Sequence, residues 1–184
     1  MTIPAEYAPG PAYGADVRKD GEKWTLILVR DLRHSPEKVW EALTQPAQLR
    51  EWAPFDVEGN LEAQGTTVTL IWAGTGQRTD VIVTRADPPH VLEFGDLRWE
   101  LEPLPNCTRI TLWHQIDRRF ISWGAAGWHI GFDVLDRLLA GNPIGRLAGG
   151  DAIELQGWKR LRAEYAQQFG DSAPIHPLGT TAKS

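Results

Sequence analysis

Residues 30–55, RDLRHSPEKVWEALTQPAQLREWAPF, constrain the fold more than any other stretch of this chain. They read as the end of a strand, a sharply started helix, a break, and a second short helix closing on Trp52. Ser35 can accept a hydrogen bond from a free amide of the first turn, and Pro36 suits the first helical position, where its missing N–H costs nothing. Glu37 adds negative charge where the helix dipole favours it. Val39, Trp40 and Leu43 then share one face, and Pro46 forces the chain out of the helix.

Around this unit the sequence alternates and turns. Asp20-Gly21 is a two-residue hairpin signal between ADVRK and EKWTLILVRDL. After the helices come DVEGNLE, TTVTLIWA, QRTDVIVTRA, HVLEF, LRWELEP and CTRITLWHQID, separated by Gly, Pro and Asn turns such as Gly74–Gly76. Such regular spacing predicts an antiparallel meander of about six or seven strands, not βαβ units. Ile121, Ala125, Trp128, Phe132, Leu135 and Leu139 recur at helical spacing, predicting a long helix over 121–140 that Gly141 and Pro143 stop. Asp151 with Glu154 opens a final helix predicted over 151–169, striped by Trp158, Leu161 and Tyr165. Residues 1–13 read as an irregular arm, 14–170 as one domain, and 171–184 as a polar, disordered tail.

Composition narrows the function. At 184 residues, 42% apolar and 23% charged, the chain is an ordinary globule long enough to bury a sizeable core. A net charge of −5 excludes a general nucleic-acid binder, whose affinity rests on basic contacts to phosphate. Cys107 is the one cysteine, which excludes an intrachain disulfide or a thiolate metal cluster. The N-terminal residues lack a signal-peptide pattern and no apolar run reaches membrane-spanning length, so the expectation is a cytoplasmic protein without membrane insertion.

The HSPEKVWEALT segment, the LREW that follows it and the GWHIGFDVLDRLLAG helix together resemble the SRPBCC (START-like) superfamily. Within it the likeness is to the branch named for an activator of a heat-shock-protein ATPase. The resemblance implies an α+β helix-grip fold: a curved antiparallel sheet wrapped around a long C-terminal helix, with a cavity between them. It also implies three classes of function. These are small-molecule binding, cyclase, aromatase or hydrolase chemistry in the same cavity, and regulation of a chaperone ATPase.

No phosphate loop, HExxH or GxSxG motif is present, and the RLAGG run lacks the lysine that would reach a phosphate. His129 and Asp133, four apart, could share a metal, but two ligands are half a site; a solvated face with Asp133 near Arg137 is the plainer reading. His114 shares a strand face with Ile110 and Leu112, and Arg30 with Leu26, Leu28 and Leu32. An imidazole on an apolar face can orient a polar ligand group or be a core residue bonded to backbone. A guanidinium there needs a carboxylate or carbonyl partner, structural or from a ligand. Phe94 and Trp99 share inward faces of neighbouring strands, and Trp128 and Phe132 oppose them from the helix. Nine tryptophans supply this apolar surface.

The expected site is therefore a cavity bordered by Phe94, Trp99, His114, Trp128 and Phe132, with Trp52 near its entrance and Arg30 at its edge. The favoured function is binding of a small hydrophobic or amphipathic molecule, aromatic or lipid-like, with no cofactor and no metal. Catalysis comes second, because no paired carboxylates or nucleophile–base pair accompany His114. A chaperone partner comes last: activators of that name resemble two-domain chains, and this one has only a short arm before the helix-grip region.

Overall fold

The computed structural model of the protein describes residues 7–149 and 157–170. The order is β1 (Ala15–Asp20), β2 (Lys23–Leu32), α1 (Pro36–Thr44), α2 (Pro46–Trp52), β3 (Phe55–Glu58), β4 (Thr67–Trp72), β5 (Arg78–Asp87), β6 (Val91–Phe94), β7 (Leu97–Leu104), β8 (Cys107–Gln115), a 3-10 turn (Arg118–Phe120), α3 (Ile121–Leu139) and α4 (Trp158–Phe169). Eight antiparallel strands form one sheet in the order β1-β2-β8-β7-β6-β5-β4-β3. This is the expected α+β helix-grip architecture, with two strands more than the lower expectation because the four-residue β3 and β6 both join the ladder.

Local rules explain the joints. Ser35 caps α1 by accepting from the Lys38 amide at 3.3 Å, with Pro36 in the first turn. The first hairpin turns at Gly21 and Glu22, one residue later than Asp20-Gly21 suggested, because Asp20 stays in the ladder opposite Lys23. Gly21 supplies the positive φ, +59°, that such a turn wants at its first central position. A bulge in β5, where pairing shifts between Val83 and Arg85, moves the inward side from Val83 to Ala86. It lies outside the strands that carry the site, so the inward assignments of β2, β6, β7 and β8 stand.

Those inward faces bury Leu26, Leu28, Leu92, Phe94, Leu97, Trp99, Ile110 and Leu112 beneath α3. Phe132 on the helix stripe is 1% exposed, and its burial contributes roughly 1.5–3 kcal/mol. α3 packs tightly over the sheet at Gly124, where an added Cβ would sit 2.9 Å from the Ile116 side chain and 3.3 Å from Leu26. The helix is buried well beyond its predicted stripe, since His129, Ile130 and Val134 are covered too. α1, α2 and α4 supply that cover. Non-helical chain follows α3 through residue 149, so α3 and α4 are separate helices as predicted. Within it, Arg146 donates to the Leu49 carbonyl at 3.2 Å and pairs with Asp56, tying this segment to α2 and β3. The expected start of the last helix at Asp151 and the tail at 171–184 lie outside the described residues. Among the described residues no helix is long and apolar enough to cross a membrane.

Candidate functional site

Adjacent residues of α3, about 100° apart on the helix, serve different neighbours. Trp128 faces the sheet, and His129 faces the arm and α4.

On the sheet side, period two on the strands and 3.6 on the helix bring the rings together. Trp128 lies 5.4 Å from Trp99 and 6.5 Å from Trp52, centroid to centroid, and Trp99 lies 6.1 Å from Phe132. Most of these contacts are edge-on, as the quadrupoles of aromatic rings favour. Among the described residues Phe94 makes no ring contact with this group: it packs 6.0 Å from Phe55, which in turn meets Trp72. Trp52, expected near the entrance of the cavity, is buried. It is 1% exposed, and its indole donates to the Ala42 carbonyl at 2.9 Å. The turn between α1 and α2 folds that helix end inward, so the tryptophan enters the core.

His114 stands at the margin of this wall, half-buried, on the same face as Leu112 as expected. The Trp128 indole N–H donates to its Nδ1 at 3.0 Å. Because Nδ1 accepts, the proton is assigned to Nε2, which has no hydrogen-bond partner among the described residues. Burial pushes the imidazole pKa down to about 4, so it is neutral at physiological pH. Nearby, Gly127 leaves the helix surface bare: a Cβ added there would meet no atom within 4 Å.

The other side of α3 is polar. Arg30, 5% exposed, donates through Nη1 to the carbonyls of Tyr13 (3.1 Å), Gly14 (3.4 Å) and Val29 (2.8 Å). Its Nη2 lies 3.2 Å from His129 Nδ1 and 3.4 Å from the Tyr165 hydroxyl. The Tyr13 ring covers the guanidinium at 3.8 Å, while the Phe132 ring lies 5.8 Å away, linking this network to the wall. A guanidinium can only donate, so His129 Nδ1 accepts and Nε2 carries the proton, 3.6 Å from Asp133. Asp133 also accepts the Tyr7 hydroxyl at 2.6 Å. Burial, then the Arg30 charge, pushes the His129 pKa down to about 4, and burial raises that of Asp133.

The solvated face expected for His129 and Asp133 is thus corrected. His129 is 1% exposed, because the arm and α4, both distant in sequence, fold over it. Arg30 finds the carbonyl partners that its position demanded, and no carboxylate lies within ion-pair distance among the described residues. Sequence reasoning missed Tyr7 and Tyr13. Their only signal was two aromatic rings in an otherwise Ala, Pro and Gly-rich arm. Among the described residues no three His, Cys, Asp or Glu side chains converge as a metal site would require.

Residues 33–140, more than half of the chain, match the family described as activator of Hsp90 ATPase homolog 1-like protein. The chain belongs to this family. Among solved structures, CalU16 of Micromonospora echinospora is 19% identical over 89% of this chain and 97% of its own, with a TM-score of 0.62. MLL2253 of Mesorhizobium loti is 25% identical over 64% of this chain and 97% of its own, with a TM-score of 0.57. DynU16, a protein of the dynemicin biosynthetic locus, is 20% identical over 65% of this chain but only 48% of its own, also with a TM-score of 0.57. No curated protein matches the chain. Membership in this branch of the SRPBCC superfamily covers Trp52, Phe94, Trp99, His114, Trp128 and Phe132. Arg30, Tyr7, Tyr13 and Tyr165 fall outside the family match.

Proposed function

We propose that this protein binds a small hydrophobic or amphipathic molecule against the wall of Trp99, Trp128 and Phe132 between sheet and helix. The observation that carries this reading is His114. Among the described residues its Nε2–H has no hydrogen-bond partner beside the aromatic rings, and sites for small molecules combine apolar walls with few, placed polar groups. Trp52 backs the wall from α2, while Phe94 and Arg30 bound it at either end.

The same geometry favours binding over catalysis. The basic lone pair of His114 is held by the Trp128 N–H, and the remaining nitrogen carries a proton, so the imidazole orients a ligand acceptor instead of abstracting a proton. Enzymatic use of the pocket would need its acid or base from the ligand or from water.

A thermal-shift screen with hydrophobic metabolites tests the reading, since a ligand of the native state raises Tm. His114→Phe keeps a ring but removes the donor, and should weaken a hit that quenches tryptophan fluorescence by about tenfold. A panel without a single hit, or a quenching hit indifferent to His114→Phe, would sink the proposal.

A further inference from the structure

A separate recess lies away from the aromatic wall. With a volume of about 360 Å³, it opens at the end of the first hairpin, where β2 begins and β8 runs into the 3-10 turn. Its apolar surface comes from Trp24 and Ile116, which face each other across the ladder through a 3.1 Å bond from the Ile116 amide to the Trp24 carbonyl. Both lie on the inward side of their strands, two residues beyond Leu26 and His114. The sheet outruns the helix here: α3 covers Leu26 and reaches the side chain of Ile116 at Gly124, whereas Trp24 is left half-buried. An apolar surface therefore continues outward past the end of its cover.

Charge surrounds it asymmetrically. Arg118 holds its guanidinium 5.3 Å from the Trp24 ring, and Lys19 approaches the same ring at 5.4 Å. Lys23 lines the recess beside them. None of the three makes an ion pair among the described residues, although the chain as a whole is acidic. The carboxylate nearest in sequence to Arg118 is already engaged. Asp117 receives both Nε and Nη2 of Arg119, at 3.0 and 2.9 Å, as well as the Arg119 amide. Of the charges that line the recess, Lys23 and Arg118 face Glu22 and Asp117; because Arg119 holds Asp117 and Lys19 stands over the same ring, positive charge is in excess around Trp24.

We infer that this recess binds a small amphipathic monoanion, its carboxylate on Arg118 and Lys23 and its short apolar part on Trp24 and Ile116. Arginine suits the carboxylate because its planar fork can donate two parallel bonds. The indole beneath restricts the guanidinium to one plane and so prepares it for that contact. The volume falls at the lower end of the range for small-molecule sites, which fits a chain of several carbons and not a large polycyclic ligand. Glu22 selects against dianions such as phosphate monoesters.

Octanoate is the probe, 1-octanol its neutral counterpart and inorganic phosphate its apolar-free counterpart, each titrated into the 15N-labelled full chain. Saturable shifts of the Trp24 indole and the Ile116 amide are expected with octanoate. Arg118→Glu and, more mildly, Arg118→Gln should weaken them, the former by about tenfold or more, at unchanged Tm. Octanol and phosphate should each bind at least about tenfold more weakly than octanoate. Shifts centred on the indoles of Trp99 and Trp128 that ignore Arg118→Glu would overturn this inference while leaving the proposed function intact. Equal binding of octanol, or no saturation with octanoate, would overturn it as well.

Discussion

Trp128 and His129 are neighbours on one helix, yet the two sides of α3 that they serve are held by different physics. The sheet side is a wall of rings with one internal hydrogen bond, from Trp128 to His114. The other side is a network in which a buried guanidinium, an imidazole, a carboxylate and the two phenols of Tyr7 and Tyr165 share their donors and acceptors beneath the Tyr13 ring. Apolar contacts are non-directional and lose stability in proportion to what is removed. A buried polar network depends on each member, because one lost partner leaves others unsatisfied. The side with the looser demands is therefore the one that can exchange its own contacts for those of a ligand. The side with the stricter demands fastens the arm and α4 to the domain.

The largest expected effect breaks the first side. Trp128→Ala should lower stability by about 3–5 kcal/mol in urea denaturation, the usual loss for a large buried ring. If the wall is a binding surface, affinity for any fluorescence-quenching ligand changes in the same variant. A stability loss with affinity unchanged would make the rings core alone.

Breaking the second side should cost somewhat less in stability but more in order. Arg30→Met keeps the length of the side chain but removes the donor shared by the Tyr13 carbonyl, His129 Nδ1 and the Tyr165 hydroxyl, for a loss of about 2–3 kcal/mol. The arm should then open ahead of the sheet, measured as faster amide exchange at Tyr13 with the β7–β8 ladder still protected. Uniform loss of protection would show that the two sides unfold as one.

Acid sharpens the comparison, because each side holds one histidine neutral. Both have folded pKa values of about 4 against an ordinary 6.5. Between these values the unfolded chain binds protons that the folded one refuses, so stability is complete above about pH 6.5 and falls as pH drops toward 4. The loss from about pH 7 to about pH 5 should be roughly 2 kcal/mol per histidine. Asp133 works the other way: its raised pKa adds stability that is fully present below the ordinary carboxylate value and fades as pH rises through its folded value. His114→Gln keeps an acceptor for the Trp128 indole and removes one titrating group, so it should take roughly 2 kcal/mol off the loss between about pH 7 and about pH 5. An unchanged slope would place the acid sensitivity on the polar side alone.

How much of this was legible follows from the range of the interactions. The start of α1 was written locally, in Ser35 and Pro36, and so was the alternation that turned Leu112 and His114 inward. The meeting of Trp99, Trp128 and Phe132 was also legible, since two short-range periodicities sufficed to aim them at one place. Trp52 was legible as the end of α2 but not as a core residue, because its depth depends on how the α1–α2 corner seats against the sheet. His129 and Asp133 could not be read at all. Their spacing on a helix is the same whether water or protein lies beyond, and what lies beyond is Tyr7, Tyr13 and Tyr165, drawn from the two far ends of the described chain. The sequence by itself determined the elements, their order and the inward faces, because sterics, capping and alternation act over a few residues. Only the tertiary structure decided which polar side chains are buried, because burial depends on segments more than a hundred residues apart closing over the same helix.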